Sequence, residues 1–137
     1  MQNAITAALF ALLSAATTPP DPVGVWKTPV DDGLVKLERC GADLCGRAVG
    51  SSRLATSPDQ KDVKNPDAAL RGRPIQGLLI LRMHAKGPGR WGDGWIYNPK
   101  DGQTYKAELT VINPQQVHLR GCIVAPFCKT QTWTRSE

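Results

Sequence analysis

The residues best suited to chemistry in this chain are four cysteines in two local pairs, Cys40-x4-Cys45 and Cys122-x5-Cys128. In an oxidising compartment such an even count reads as disulfides, and in a reducing one as a metal site. The spacings are looser than a zinc knuckle, so zinc is the weaker reading. Four cysteines allow three connectivities. Local pairing, Cys40 with Cys45 and Cys122 with Cys128, is expected because each pair brackets a turn that can bring its partners within a few ångströms.

Other catalytic chemistry has little to stand on. His84 and His118 fall on different predicted strands, and neither has a His, Asp or Glu neighbour at ligand spacing. No metal and no cofactor are expected. A Gly-x-Ser-x-Gly elbow is absent, and oxidised cysteines are not nucleophiles. A carboxylate pair for glycoside chemistry stays open among Asp31, Asp32, Asp62, Asp67 and Asp93. Turn formation explains nearly all of these, so no catalytic residue is assigned and the balance leans away from an enzyme. Gly87-Pro-Gly89 is a turn and not a phosphate loop.

Binding chemistry is better represented. Asn65-Pro66-Asp67-Ala68-Ala69-Leu70-Arg71-Gly72-Arg73-Pro74 is the most unusual segment. Asn and Asp bond their own backbone and Pro fixes φ, so the segment is turn chemistry. Arg71 and Arg73 can pair Asp62 or Asp67 and pin a loop across a barrel mouth. The competing reading is a bidentate grip on a ligand carboxylate or phosphate. Trp95 and Tyr97 alternate and so share a strand face, and Tyr97 and Tyr105 can oppose each other across a hairpin. Core packing is the ordinary role for such aromatics, and pocket lining by Trp95, Tyr97 and Tyr105 is the functional one.

These residues need elements to hold them. After Pro22 the chain breaks into short runs of Val, Ile, Leu, Trp, Tyr and Thr divided by Gly, Pro, Asn and Asp, with no sustained helical period. That pattern predicts an all-β domain over 23–137. Eight strands are expected, at Val23–Thr28, Leu34–Cys40, Leu44–Gly50, Ile75–His84, Gly94–Tyr97, Thr104–Ile112, Val117–Cys122 and Lys129–Arg135. One long ordered loop spans about 51–74. In the sixth strand Tyr105, Ala107, Leu109 and Val111 fall on one face, and Lys106, Glu108 and Thr110 on the other. One face therefore meets a core and the other meets water, unlike a transmembrane barrel. Antiparallel strands joined mostly by short turns fit an up-and-down eight-stranded barrel, with a sandwich as the alternative. Such a barrel is filled by side chains or holds one small ligand.

The first residues differ from the rest. Residues 4–16 are uncharged and mostly apolar, the length of a signal-peptide core and too short to span a bilayer as a helix. Ser14 and Ala16 suit cleavage after Ala16, giving a leader at 1–16, a linker at 17–22 and a chain that does not span the membrane once cleaved. Met1-Gln2-Asn3 carries no Lys or Arg, and an uncleaved anchor is the alternative. The formal charge of +5 is dispersed, with no basic stripe or aromatic motif for nucleic acid. Loose attraction to anionic lipid or polymer is the one functional reading of that charge.

Several motifs resemble the bacterial exported family called domain of unknown function 2147. They are Gly24-Val25-Trp26 with Asp31-Asp32-Gly33, Cys40 to Gly46, Asn65-Pro66-Asp67 with Leu70 to Leu78, Gly94 to Pro99 with Gly102 and Tyr105, Arg120-Gly121, and Thr130 to Arg135. The likeness covers about 23–135. It implies a lipocalin-like or calycin-like barrel and no known reaction. Gly-x-Trp in a first strand and Arg at the end of a last one also echo the lipocalin closing signature. Trp26 would plug one barrel end with Arg135 over its ring, and Trp133 would close or line the interior. The leading expectation is binding or carriage of a small hydrophobic or amphipathic molecule in the cell envelope, periplasmic or secreted. The alternatives are an envelope interaction protein with a filled barrel, and a hydrolase of envelope glycan or lipid.

Overall fold

The computed structural model describes residues 3–9, 18–124 and 126–137. The expected cleavage site at Ser14 and Ala16 lies outside the described residues. Eight strands form one closed barrel in sequence order. They are β1 (Gly24–Lys27), β2 (Leu34–Cys40), β3 (Asp43–Gly50), β4 (Leu79–Gly87), β5 (Arg90–Asn98), β6 (Gln103–Asn113), β7 (Gln116–Val124) and β8 (Phe127–Arg135). Every neighbouring pair is antiparallel. This is the up-and-down barrel, not the sandwich.

Residues paired directly across an antiparallel ladder share a face, so the register sorts inside from outside. Ala107 faces Gly121, Leu109 faces Leu119, and Val111 faces Val117, which in turn faces Trp133. Ala107 and Leu109 are buried, while Lys106, Glu108 and Thr110 between them are exposed. Trp26, Leu37, Leu44, Leu81, Met83, Leu109, Val117 and Trp133 are fully buried and fill the lower and middle interior. Each large apolar side chain buried this way contributes about 1.5–3 kcal/mol.

Two strands differ from their expected bounds by more than two residues at an end. β4 starts at Leu79, because Ile75–Leu78 is a turn in which Leu78 N donates to Ile75 O at 2.9 Å. β5 starts at Arg90, four residues early, because Gly92-Asp93-Gly94 is a bulge and not a loop. Asp93 takes φ 49°, a left-handed conformation that a short polar residue tolerates. A Cβ at Gly94 would lie 2.0 Å from the Arg82 carbonyl, so only glycine lets the strands approach there.

The topology gives the barrel two distinct ends. The closed end carries the β2–β3, β4–β5 and β6–β7 turns. The mouth carries the β1–β2 turn, the long β3–β4 loop, the β5–β6 turn and the β7–β8 tip. β1 meets β8 at only two positions, Trp26 with Arg135 and Lys27 with Thr134. Beyond them, among the described residues, β8 has only β7 beside it, and the two run on toward the mouth as a ribbon. The long loop is ordered by a short helix, α1 (Ser52–Thr56), capped by Ser51, and by a 3-10 turn at Ala68–Leu70 capped by Asp67. Among the described residues no helix is long and apolar enough to cross a membrane.

Candidate functional site

The closed end is sealed by its own side chains. Trp26 Nε1 donates to Pro22 O at 2.8 Å, and the Arg135 guanidinium lies 4.4 Å from the Trp26 ring centroid. Arg135 also donates to the carbonyls of Pro114, Val23 and Asp21 at 2.6, 2.8 and 2.8 Å. Every polar atom of that guanidinium is engaged, so it works as a structural clamp and offers no site.

The mouth is different. Register continues the inner face upward through Ala48, Ile96, Tyr105, Gly121 and Gln131, and all of these are only half-buried. Leu78 of the long loop is half-buried and packs against the core beside them. A Cβ at Gly121 would meet Tyr105 Cβ at 3.7 Å and Ile96 Cγ2 at 3.9 Å, which is ordinary contact, so a side chain has room there. Together these residues leave a half-exposed, largely apolar stretch of inner wall above a packed floor, referred to below as the cup. Lys129 pairs with Gly121 and stands exposed at its rim. Tyr105 donates its hydroxyl to Asp101 in the β5–β6 turn, and that bond pushes its pKa above the usual tyrosine value.

The long loop is latched to the outside of the wall through a buried carboxylate. The Asp62 side chain is 0% exposed. Tyr97 donates its hydroxyl to Asp62 Oδ1 at 2.6 Å, while Asn65 Nδ2 and Arg73 Nε each donate to Oδ2 at 2.9 Å. The Arg73 guanidinium lies 5.6 Å from the Tyr97 ring centroid. Burial pushes the Asp62 carboxyl up, but the three donated bonds and the Arg73 charge outweigh it and hold the pKa below the usual value. The Tyr97 phenol is pushed up to about 12, first by burial and then by its bond to Asp62. Arg71 Nε donates to Asn65 O at 2.7 Å and folds the loop on itself. Gly102 sits where a Cβ would lie 2.0 Å from Lys64 O, so the loop rests directly on the β5–β6 turn.

The structure separates the expected site residues. Tyr97 stands opposite Thr104 and Tyr105 opposite Ile96, so the two phenols lie on opposite faces of the wall and do not oppose each other. Trp95 shares the Tyr97 face, paired with Lys106 and Arg82. Arg71, Arg73, Trp95 and Tyr97 therefore all lie outside the interior, and Tyr105 alone of the five faces it. Four cup residues were missed: Ala48, Leu78, Gly121 and Ile96. For Ile96 a signal was available: once Tyr105 is assigned inward, the short turn at Asn98–Gln103 sets the face of its partner. The lone-histidine reading missed one contact, since His84 Nδ1 lies 2.7 Å from Asp43 Oδ1 across the β3–β4 pair. His84 and then Arg82 hold the Asp43 carboxyl below its usual pKa. Among the described residues no group of three or more His, Cys, Asp or Glu side chains could hold a metal ion.

Both cysteine pairs are bonded locally, Cys40 to Cys45 and Cys122 to Cys128. Two such bridges point to an oxidising, extracytoplasmic environment.

Comparison with known proteins agrees with this architecture. Protein HP1028 from the human pathogen Helicobacter pylori, described as belonging to the lipocalin family, has a similar solved structure, with TM-score 0.77 and 21% identity. The match covers 86% of this chain and 84% of that one, and at this identity it speaks for the fold alone. No curated protein matches. The family model described as an uncharacterized protein conserved in bacteria (DUF2147) matches residues 24–135, nearly the whole barrel, and the chain belongs to that family.

Proposed function

We propose that this protein is exported to the cell envelope and there binds a small hydrophobic or amphipathic molecule in the mouth of its barrel. The observation that carries the reading is the half-exposed apolar cup of Ala48, Leu78, Ile96, Tyr105 and Gly121 above a filled floor. Apolar side chains left partly wet inside a barrel gain from any ligand that covers them, at about 25 cal/mol per Å². The filled floor restricts the ligand to one that sits shallowly, with its polar end at the rim near Lys129. Residues 1–16 supply the leader, and the two bridges suit a periplasmic or secreted protein.

A filled lower barrel also favours the second reading, an envelope interaction protein with no small ligand. The two separate by experiment. Native mass spectrometry and solvent extraction of protein purified from the envelope should return a bound hydrophobe. Gly121→Phe, which places a ring in the cup, should abolish that load while leaving the melting temperature within a few degrees. A wild-type protein that carries nothing and binds no fatty acid or fluorescent naphthalene probe removes the carrier reading and leaves the interaction protein.

A further inference from the structure

We infer that the β7–β8 tip is a docking element for an anionic lipid surface. Ile123, Val124 and Phe127 are 69%, 59% and 71% exposed. The five residues from Ile123 to Phe127 contain no charge and no hydrogen-bonding side chain. Water is a poor environment for such a run, and a patch of this kind at the end of a protruding ribbon marks a contact site. The other mouth loops are tied together. Ser52 N donates to Asp31 O at 2.9 Å, Lys100 pairs with Asp31 at 3.3 Å, and the long loop rests on Gly102. Among the described residues no side-chain hydrogen bond or ion pair joins Ile123–Thr130 to any of them. The tip is therefore not tied to the other mouth loops by polar contacts and stays largely exposed, and the Cys122–Cys128 bridge holds its shape at the last rung before it.

Charge selects the occupant. Lys106 pairs across the ladder with Cys122, and Lys129 with Gly121, so both cations sit immediately behind the apolar tip. Neither makes an ion pair among the described residues. The tip extends about two residues beyond the bridge, or roughly 7 Å at the strand rise. That matches the depth of about 5–10 Å at which apolar groups enter the headgroup boundary of a bilayer. With Ile123, Val124 and Phe127 at that depth, Lys106 and Lys129 lie at the level of the lipid phosphates. A protein partner would supply polar complements to the ribbon's unpaired edge. A bilayer needs only the apolar tip and the cations behind it, and those are what the tip provides.

The test is flotation of the purified barrel with two kinds of vesicle: pure phosphatidylcholine, and equal parts phosphatidylglycerol and phosphatidylcholine. Binding should be strong on the anionic vesicles and weak on the neutral ones. Ile123→Ser/Phe127→Ser should reduce anionic binding by on the order of tenfold or more. Lys106→Ala/Lys129→Ala should cost on the order of tenfold on anionic vesicles only. Gly121→Phe should float like the wild type, so failure of the cup reading and failure of this one are distinguishable. Far-UV circular dichroism confirms that each variant is folded. Equal flotation of wild type and tip variants overturns the proposal. So does a wild-type dimer that the tip variants convert to monomer without any vesicle binding, because the tip is then covered by a second copy.

Discussion

The two ends of this barrel are built from similar parts and finished differently. Each carries a disulfide across a short hairpin, Cys40–Cys45 at the closed end and Cys122–Cys128 at the mouth, with sequence separations of 5 and 6. At the closed end everything around the bridge is used internally. Arg39 lies 4.7 Å from the Trp91 ring centroid, Asp43 accepts from Arg82 and contacts His84, and Cys45 is buried. At the mouth the bridge supports a ribbon whose apolar tip residues Ile123, Val124 and Phe127 stay largely exposed. An end that satisfies all of its own groups has a structural task. An end that leaves apolar groups in water has been left open to something else.

The largest effect expected from breaking this contrast is at the closed end. Trp26→Ala should lower stability by about 3–5 kcal/mol in urea or thermal unfolding, because a fully buried ring and its bond to Pro22 are lost together. Next in size is the latch at the mouth. Tyr97→Phe removes one of three donors from a buried carboxylate and should cost about 1–3 kcal/mol. It should also change the pH profile. The folded Tyr97 pKa is raised to about 12, so its contribution is complete below 10 and is lost as pH rises through 12. The Asp62 pKa is lowered, so its contribution is present above the usual carboxylate value of 3.8 and is lost as pH falls below it. Melting temperatures measured across pH should show an alkaline fall in the wild type that is reduced in Tyr97→Phe. An unchanged alkaline limb would mean that this phenol does not hold the loop.

Much of this arrangement was readable in the sequence. Alternation in Tyr105–Val111 assigns the inner face, and the turn residues between strands assign the barrel order. Trp26 and Arg135 mark the closed end, and the cysteine spacings mark both bridges. The bulge at Gly92-Asp93-Gly94 was not legible as such. Two glycines around an aspartate are loop chemistry locally, and only the approach of the Arg82 carbonyl makes them strand. The face of Trp95 and Tyr97 was misleading for a related reason. An aromatic pair on a strand suggests the interior, but here the long loop supplies a second buried surface on the outside of the wall. Burial of Tyr97 comes from Asp62 and Arg73, which lie far away in sequence, and no local pattern encodes that contact. The cup is hardest to read, since it consists of what Gly121 and Ala48 fail to fill.

The smallest difference in stability, and the sharpest comparison, is the one between variants that each lack one bridge. Both close loops of nearly equal length, so the loss of chain entropy on cross-linking the unfolded state is nearly the same, about 2 kcal/mol for either. Any difference between the two must then arise in the folded state. Replacing Cys40 and Cys45 by alanine leaves the hairpin held by its neighbours, so nearly the whole loss should appear in global unfolding. Replacing Cys122 and Cys128 by alanine frees a tip in which, among the described residues, β8 pairs only with β7, so the folded state regains part of the freedom the unfolded state gains. Its melting temperature should fall less than that of the closed-end variant, and hydrogen exchange should quicken only in the β7–β8 tip. Its vesicle binding should weaken severalfold, because a frayed tip must be ordered again on docking. Equal falls in melting temperature would show that the ribbon is packed as firmly as the closed end, and the contrast between the ends would then rest on surface chemistry alone.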